Sequence, residues 1–381
     1  MTARVLIAVT HLLGIGHLAR AALIAEALAV RGVATTLVSG GMTVPGLGVG
    51  GARLVALQGL RATDESFAHL VNAECRAADA ALFAARRERL LALLAETAPH
   101  LVVVEQYPFG RRKLAAEFDA LLVAARARGA VTVGSVRDVL QRTTPERAAA
   151  MAVVARDRLD AVLVHGDARV LPFEASFPAA GLIADRLVYT GYVAAAPAPR
   201  EPAGPGHCEV LVSAGGGAVG AGLRRAALAA AALDPGRTWR VLTGTGTIPP
   251  DMGPAPPPNA VIEPNRPDFR SLLAHCAVSV SQGGYNTVAD VLAARARAVV
   301  VPFSAGGQTE QATRAARLEA LGLMHVIAED DLSPARLAQA VAATAERTLP
   351  TLMVDIDGAQ RSAALLKTWA ETGHVDLGRA G

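Results

Sequence analysis

The sequence predicts an α/β protein of two doubly wound, Rossmann-like domains facing each other across a cleft. Three observations carry this. Short apolar runs, such as residues 4–9 and 277–280, alternate with Ala- and Leu-rich stretches at helical spacing, the rhythm of a parallel sheet with crossover helices. A run of Pro, Gly and small residues, 196–206, interrupts that rhythm once and reads as a linker. A glycine-containing loop follows the first strand of each half, at residues 10–17 and 213–220. The 381 residues suffice for two cores. The expected division is a first domain of residues 1–195, a second of 207–355, and a closing segment, 356–381, that crosses back to the first.

In chain order, residues 4–9 read as a buried strand, 18–31 as a helix ended by Gly32, and 33–39 as the next strand. The glycines between them are not spaced G-x-G-x-x-G, and Gly40-Gly41 stands where a dinucleotide fold would carry a ribose-binding acid. A short strand, 53–57, follows a Gly-rich stretch. Residues 65–96 are Arg-rich and amphipathic and predict one or two helices lying on the sheet. Strand 101–104 runs into Glu105-Gln-Tyr-Pro-Phe-Gly-Arg-Arg-Lys113, at the strand end where open α/β sheets bind ligands. Glu105 and Tyr107 there, Arg137 at the exit of strand 131–136, and His11 are candidates to hold an acceptor. The bland reading of the 105–113 segment is a solvated helix start. A helix at 144–160 and a strand at 161–165 follow, with His165 to Asp167 expected to face the cleft. Strand 187–192 closes the half.

The second half repeats the architecture without repeating the sequence. Strand 209–212 leads to Ser213, Gly215, Gly216 and Gly217, which offer hydroxyl and N–H donors to a phosphate. Strand 239–243, a Pro/Gly loop at 244–259 and a strand from 261 precede the strand 277–280. Gly283 and Gly284 then allow a sharp turn into a helix, 287–294, with Asn286 or Thr287 as its cap. A strand, a glycine turn and a helix mouth suit an anion, because N–H groups and the helix dipole point at it. Asp290 lies one turn into that helix, within reach of a sugar hydroxyl. A strand at 298–302 runs into a polar loop ending in Glu310 and Gln311. Helices are expected at 333–346 and 351–372.

Gly283-Gly-Tyr-Asn-Thr287 with Asp290, then Val301-Pro-Phe303, Glu310-Gln311 and Leu318 to Gly322 resemble the donor half of GT-B glycosyltransferases. The likeness is to family 28, the family of the lipid II-forming N-acetylglucosaminyltransferase. The segment at 105–113 also resembles a stretch in uncharacterised bacterial GT-B transferases. The resemblance implies a nucleotide-sugar donor, UDP-sugar by default, and inversion at the sugar carbon. It implies that Gly16, Ser213, Gly215, Gly216, Gln282, Gly283, Gly284, Asn286 and Thr287 hold the diphosphate. Arg266, Phe269 and Asp290 would meet base and ribose. Arg266 stands where an apolar residue is expected, and Asp290 where the family has Glu. Glu310 and Gln311 match the pair that bonds the donor sugar. His17 matches the histidine of the family's Gly-x-Gly-His loop and is the expected general base, since an imidazole with a pKa of about 6.5 can take a hydroxyl proton at neutral pH.

Composition bounds the rest. Hydrophobic residues make up 52% and aromatics only 4%, so the cores must be built of Ala, Val and Leu. A net charge of +3 with scattered arginines is no nucleic-acid footprint, though a basic patch could attract a membrane surface. Cys75, Cys208 and Cys276 form neither a metal-ligand spacing nor a disulfide framework, which fits a reducing cytosol. No window offers the ~20 uncharged apolar residues of a membrane span. The expectation is a cytoplasmic transferase, at most at the inner face of the membrane, needing neither metal nor cofactor. The acceptor stays open: lipid, peptide, small metabolite or polysaccharide. A nucleotide-sugar hydrolase and a non-catalytic nucleotide-sugar binder are the alternatives.

Overall fold

Parallel strands buried on both faces should read as unbroken apolar runs, as residues 5–9 and 101–104 do. The structure, a computed structural model, describes residues 2–64, 67–201, 203–213, 220–244, 256–304 and 308–377. Two units emerge: Met1–Ala194 with Asp357–Gly381, and Ala195–Ile356. The expected second domain began at residue 207, whereas the second unit begins at Ala195 and includes the segment expected to be a linker. The expected linker packs on the second unit instead of spanning free: the Glu201 N–H donates to His275 Nε2 at 2.7 Å, and Arg200 donates to the Ala294 carbonyl at 3.0 Å.

The first unit is built on β1 (Arg4–Val9), β2 (Ala34–Gly41), β3 (Arg53–Ala62), β4 (Leu70–Val71), β5 (Leu101–Glu105), β6 (Val131–Arg137), β7 (Ala161–His165) and β8 (Leu187–Tyr189). Their spatial order is β4-β3-β2-β1-β5-β6-β7-β8, parallel except for the β3–β4 pair. The helices α1 (Gly16–Val30) and α10 (Gly358–Thr372, the last in the chain) cover one face. Val5, Ile7, Leu101, Val103, Val133 and Leu163 point into it. Ala21, Ala22, Ala25 and Ala27 of α1 are buried there, and their small side chains let the helix sit close to the sheet. The opposite face is covered by α2 (Ala80–Thr97), α3 (Ala115–Arg126) and α4 (Pro145–Arg158).

Three expectations need correction here. The amphipathic stretch 65–96 is helical only from Ala80, because Asp79 caps α2 through the Leu82 N–H, and β4 precedes it. The strand at 53 continues to Ala62, paired with β2 across an irregularity between Ser39 and Gly41. The final helix starts at Gly358 and not at 351, where the chain has just bridged Val193 through Asp357.

The second unit has β9 (Val210–Ser213), β10 (Trp239–Leu242), β11 (Ala260–Glu263), β12 (Val278–Ser281), β13 (Ala298–Val300) and β14 (His325–Val326). Their order is β11-β10-β9-β12-β13-β14, and every pairing is parallel. The helices α5 (Ala221–Leu233), α6 (Phe269–His275), α7 (Tyr285–Ala294), α8 (Glu310–Ala320) and α9 (Pro334–Ala345) flank them. Helix α7 begins two residues before the expected start, with Gly284 as its N-cap and no side-chain cap, so neither Asn286 nor Thr287 caps it.

In each sheet the chain reverses its winding once. The reversal lies between β1 and β5 in the first unit and between β9 and β12 in the second. At such a point the loops leaving two adjacent strands diverge, and their carboxyl ends frame a crevice.

The start of α10 tests the packing. A Cβ at Gly358 would lie 2.4 Å from the Gly191 carbonyl oxygen and 2.7 Å from the Tyr192 carbonyl carbon, both backbone. Gly358→Ala should therefore cost about 1–3 kcal/mol. The check is the urea midpoint of the unfolding transition, and an unchanged midpoint would show that α10 is not held there.

Candidate functional site

The winding reversal of the first unit places the β1–α1 loop beside the end of β5. His17 is the second residue of α1, and Glu105 is the last of β5. Their side chains meet, His17 Nδ1 to Glu105 Oε1 at 2.9 Å. Arg20, one helical turn after His17, donates to the same carboxylate oxygen and lies 3.1 Å from His17 Nδ1. The Ser135 hydroxyl takes the other oxygen, Oε2. Glu105 is 2% exposed, whereas the His17 side chain keeps 15% of its surface in solvent. The carboxylate is interior and the imidazole opens outward.

The protonation states follow from these contacts. Burial works to raise the Glu105 pKa, but the Arg20 charge and the hydrogen bond with His17 outweigh it and hold the carboxyl well below the usual range. Burial and the Arg111 guanidinium pull His17 below its ordinary value, while the bond to Glu105 opposes them. A proton on Nδ1 lets neutral His17 donate to the ionised Glu105 at 2.9 Å, and the Arg20 Nη2 donor lies 3.1 Å from the same nitrogen. Its Nε2 is then left with a lone pair, the arrangement of a general base oriented by a carboxylate. Burial and the neighbouring Arg137 bring Arg111 itself down to about 10.

Several expected acceptor contacts are overturned. Glu105 has both oxygens occupied inside the protein, so it orients His17 and cannot reach an acceptor. Tyr107 is buried against Phe118, ring centroids 5.7 Å apart, and is a core residue. His11 is buried against Gly41, where any Cβ would fall 2.3 Å from its ring, and its pKa is lowered by burial and by Arg111. Arg137 is partly exposed and donates from Nε to the Val139 carbonyl. His165 does not face outward, being wholly buried behind Ser135. Arg20 and Ser135 were missed. An arginine on an Ala-rich helix reads as solvated, although its i+3 spacing from a candidate base was a usable signal.

In the second unit the reversal sets Ser213, at the end of β9, in register with Ser281, at the end of β12. Both hydroxyls are buried and have no partner among the described residues. Gly215 and Gly216 lie outside the described residues. A cavity of about 250 Å³ opens nearby, lined by Gly222, Leu223, Gln282, Val301 and Glu329. From Gln282 the chain turns through Gly283 into α7, which has no acidic residue in its first turn. The chain passes close at Gly283, where a Cβ would lie 3.2 Å from the Gln311 carbonyl oxygen. Gly284, Asn286 and Thr287 follow at the helix mouth, and the Val288 N–H is the first to bond back, to the Gly284 carbonyl.

This turn is anchored from α8. Arg314, fully buried, donates to the Gly283 carbonyl and to Glu310 Oε1, each at 2.8 Å, and lies over the Tyr285 ring. Glu310, expected to bond a sugar, is instead buried as the partner of Arg314. Gln311 accepts from the Phe303 N–H through Oε1, which leaves its amide NH2 group as its polar face. Arg266 binds Asp268 through Nε and Nη2, at 2.8 and 2.6 Å, so its fork is already engaged. Asp290 meets Arg270 at 3.4 Å, and burial raises its pKa against that cation. Phe269 is partly buried at the start of α6. No cluster of three His, Cys, Asp or Glu side chains is found among the described residues.

Arg314→Met should lower stability by about 3–5 kcal/mol, because it strands the Glu310 charge in the interior. Arg314→Met combined with Glu310→Leu should recover most of that loss. Urea unfolding of the two variants is the measurement, and a single variant as stable as the parent would show that the pair is not truly buried.

Comparisons with known proteins bear on the fold and on the second unit. Residues 216–359 match the model of the glycosyltransferase family 28 C-terminal domain. The UDP-N-acetylglucosamine--N-acetylmuramyl-(pentapeptide) pyrophosphoryl-undecaprenol N-acetylglucosamine transferase of Synechococcus sp. (strain RCC307) is 28% identical over 128 residues. That match covers 34% of this chain and 35% of the relative, so it spans about a third of the curated protein. The calicheamicin glycosyltransferase CalG4 superposes with a TM-score of 0.64 at 20% identity, covering 100% of this chain and 99% of its own. The spinosyn rhamnosyltransferase SpnG, complexed with thymidine diphosphate, gives 0.58 at 16%, over 97% and 96%. Residues 216–359 are a glycosyltransferase family 28 C-terminal domain, and the chain has the fold of the GT-B glycosyltransferases.

Proposed function

We propose that this protein transfers a hexosyl group from a UDP-sugar to an acceptor hydroxyl, with inversion and without a divalent metal. The observation that carries the reading is the His17–Glu105 pair at the winding reversal of the first unit. It is a neutral imidazole, oriented by an ionised carboxylate, in a chain whose residues 216–359 match the family 28 C-terminal domain. The UDP-sugar follows the name of the Synechococcus relative, a UDP-N-acetylglucosamine transferase.

The acceptor oxygen attacks the anomeric carbon and gives its proton to His17 Nε2. The bond from that carbon to the diphosphate oxygen breaks, and its electron pair leaves with UDP. N–H groups at the mouth of α7 take up the charge that grows on the diphosphate, the work a metal would otherwise do. Gln311 donates to the sugar through its amide NH2, while Phe269 and Asp290 meet base and ribose. A non-catalytic binder would have no use for a base oriented on a buried carboxylate.

The test is turnover of UDP- and dTDP-sugars by the full chain, with and without acceptors and EDTA. UDP release that needs an acceptor and survives EDTA is expected. Release at full rate without an acceptor would make the protein a hydrolase, and preference for dTDP-sugars would correct the base. His17→Ala should lower kcat by ~10²-fold or more while UDP binding holds. Gln311→Ala should weaken sugar turnover and spare UDP binding, and equal loss of both would misplace the sugar pocket.

The pH profile gives a further check. Because the His17 pKa lies below 6.5, the base is already neutral there and activity is lost only as pH falls through that lowered value. The acid limb of kcat/KM should lie below pH 6.5. A limb at or above it would remove His17 from the chemistry.

A further inference from the structure

The face of the first sheet beneath α1 and α10 carries a row of polar side chains at its carboxyl edge. Below the edge the row is apolar: Val103, Val133 and Leu163. Two residues on, the same face shows Glu105, Ser135 and His165, followed by Thr190 just past β8. These side chains touch in sequence. Ser135 Oγ bonds Glu105 Oε2, His165 Nε2 lies 2.9 Å from Ser135 Oγ, and His165 Nδ1 lies 2.8 Å from Thr190 Oγ1. Ser135, His165 and Thr190 are all buried, and His165 and Thr190 have no exposure at all.

We propose that Ser135 and His165 are positioning residues of the transfer reaction, and that they form a one-way hydrogen-bond chain that holds Glu105 ionised against His17. The inference rests on the glycosyl-transfer reading for its kinetic arm alone. The direction of the chain follows from donor and acceptor counting. Glu105 is ionised and can only accept, so Ser135 must donate its single proton to it. Ser135 Oγ can then only accept from His165, which places the ring proton on Nε2. His165 Nδ1 is left as an acceptor 2.8 Å from the Thr190 hydroxyl, for whose single proton it competes with the Gly191 carbonyl at 3.1 Å. The opposite tautomer would turn the Ser135 proton toward His165 and leave two oxygen lone pairs facing each other at Glu105. Burial and the Arg20 charge hold His165 below its ordinary pKa, which keeps the ring neutral.

The consequence reaches His17. A carboxylate held on Oε2 by Ser135 presents Oε1 to His17 in one orientation, and only that orientation keeps the proton on Nδ1 and the lone pair on Nε2. Replacing the hydroxyl of Ser135 frees the carboxylate to rotate and leaves the His165 N–H without its acceptor. Nothing in this row can touch substrate, so its effect must appear in kcat and in the state of His17, not in donor affinity.

The experiment is long-range proton–nitrogen NMR of the histidine rings in the 15N-labelled full chain, with kinetics on the same variants. The expected spectrum shows His165 as the neutral Nε2–H tautomer and His17 as the Nδ1–H tautomer. Ser135→Ala should shift the His17 ring signals and lower kcat by ~10-fold or more with the donor KM retained. Ser135→Thr, which keeps the hydroxyl, and His165→Gln, which keeps a donor at the same place, should restore both readouts. A His165 ring that is charged or protonated on Nδ1 would overturn the chain. So would a Ser135→Ala protein with unaltered His17 signals and kcat. If no nucleotide-sugar is turned over at all, the transfer reading falls, and the spectra alone decide the hydrogen-bond chain.

Discussion

A carboxylate taken out of water must be met on both oxygens or give up its charge. Glu105 obeys that rule, and much of the first unit is arranged around it. One oxygen receives Arg20 and His17 from α1, and the other receives Ser135 from the neighbouring strand β6. A single buried group thereby fixes the first turn of a helix to the ends of two strands. His17 and Glu105 are 88 residues apart in sequence. They meet because the winding of the sheet reverses between β1 and β5 and brings those two strand exits side by side.

The second unit solves a related problem with the same kind of residue. Arg314 is as deeply buried as Arg20 and is likewise balanced by one carboxylate, that of Glu310. Its remaining donors hold the Gly283 carbonyl, so the glycine turn is fixed from the carbonyl side. What is left facing outward is the N–H side of the turn and the mouth of α7. A buried ion pair adds little net stability, since the desolvation of two charges offsets their attraction. Its value here is geometric: it specifies one conformation for a glycine turn that would otherwise have many.

The strands were legible because burial on both faces keeps most of their positions apolar. Residues 4–9, 131–136 and 161–165 read as strands within a residue or so of where they are. The helices at 144 and 333 were legible through their caps, Thr144 and Ser333, each followed by proline. The stretches 65–96 and 351–372 were over-read as helix because Ala, Leu, Arg and Lys favour helix without marking its start. The site was half legible. His17 and the glycine turn announce themselves by residue type. Arg20, Arg314 and the burial of Glu105 did not, because burial of a charge depends on packing that the local sequence does not show. Glu310 was misread for the same reason: an acidic residue in a polar loop reads as ligand-facing until its arginine, one turn on, is seen to be interior.

The charges around His17 explain why the carboxylate has to be there. Arg111 and Arg20 bring two guanidinium charges to bear on His17, and Arg137 in turn lies near Arg111. In that field an imidazole alone would stay neutral but would resist taking a proton, because the imidazolium would stand among cations. An ionised Glu105 at 2.9 Å changes this, since its charge stabilises the imidazolium as it forms. That stabilisation is available only if the carboxyl is charged before the proton arrives, and burial alone would have neutralised it. Arg20 keeps it charged from one side, and the Ser135 hydroxyl does so from the other. In the proposed reaction, the cations that would make His17 a reluctant base are therefore also what keeps its partner able to help it.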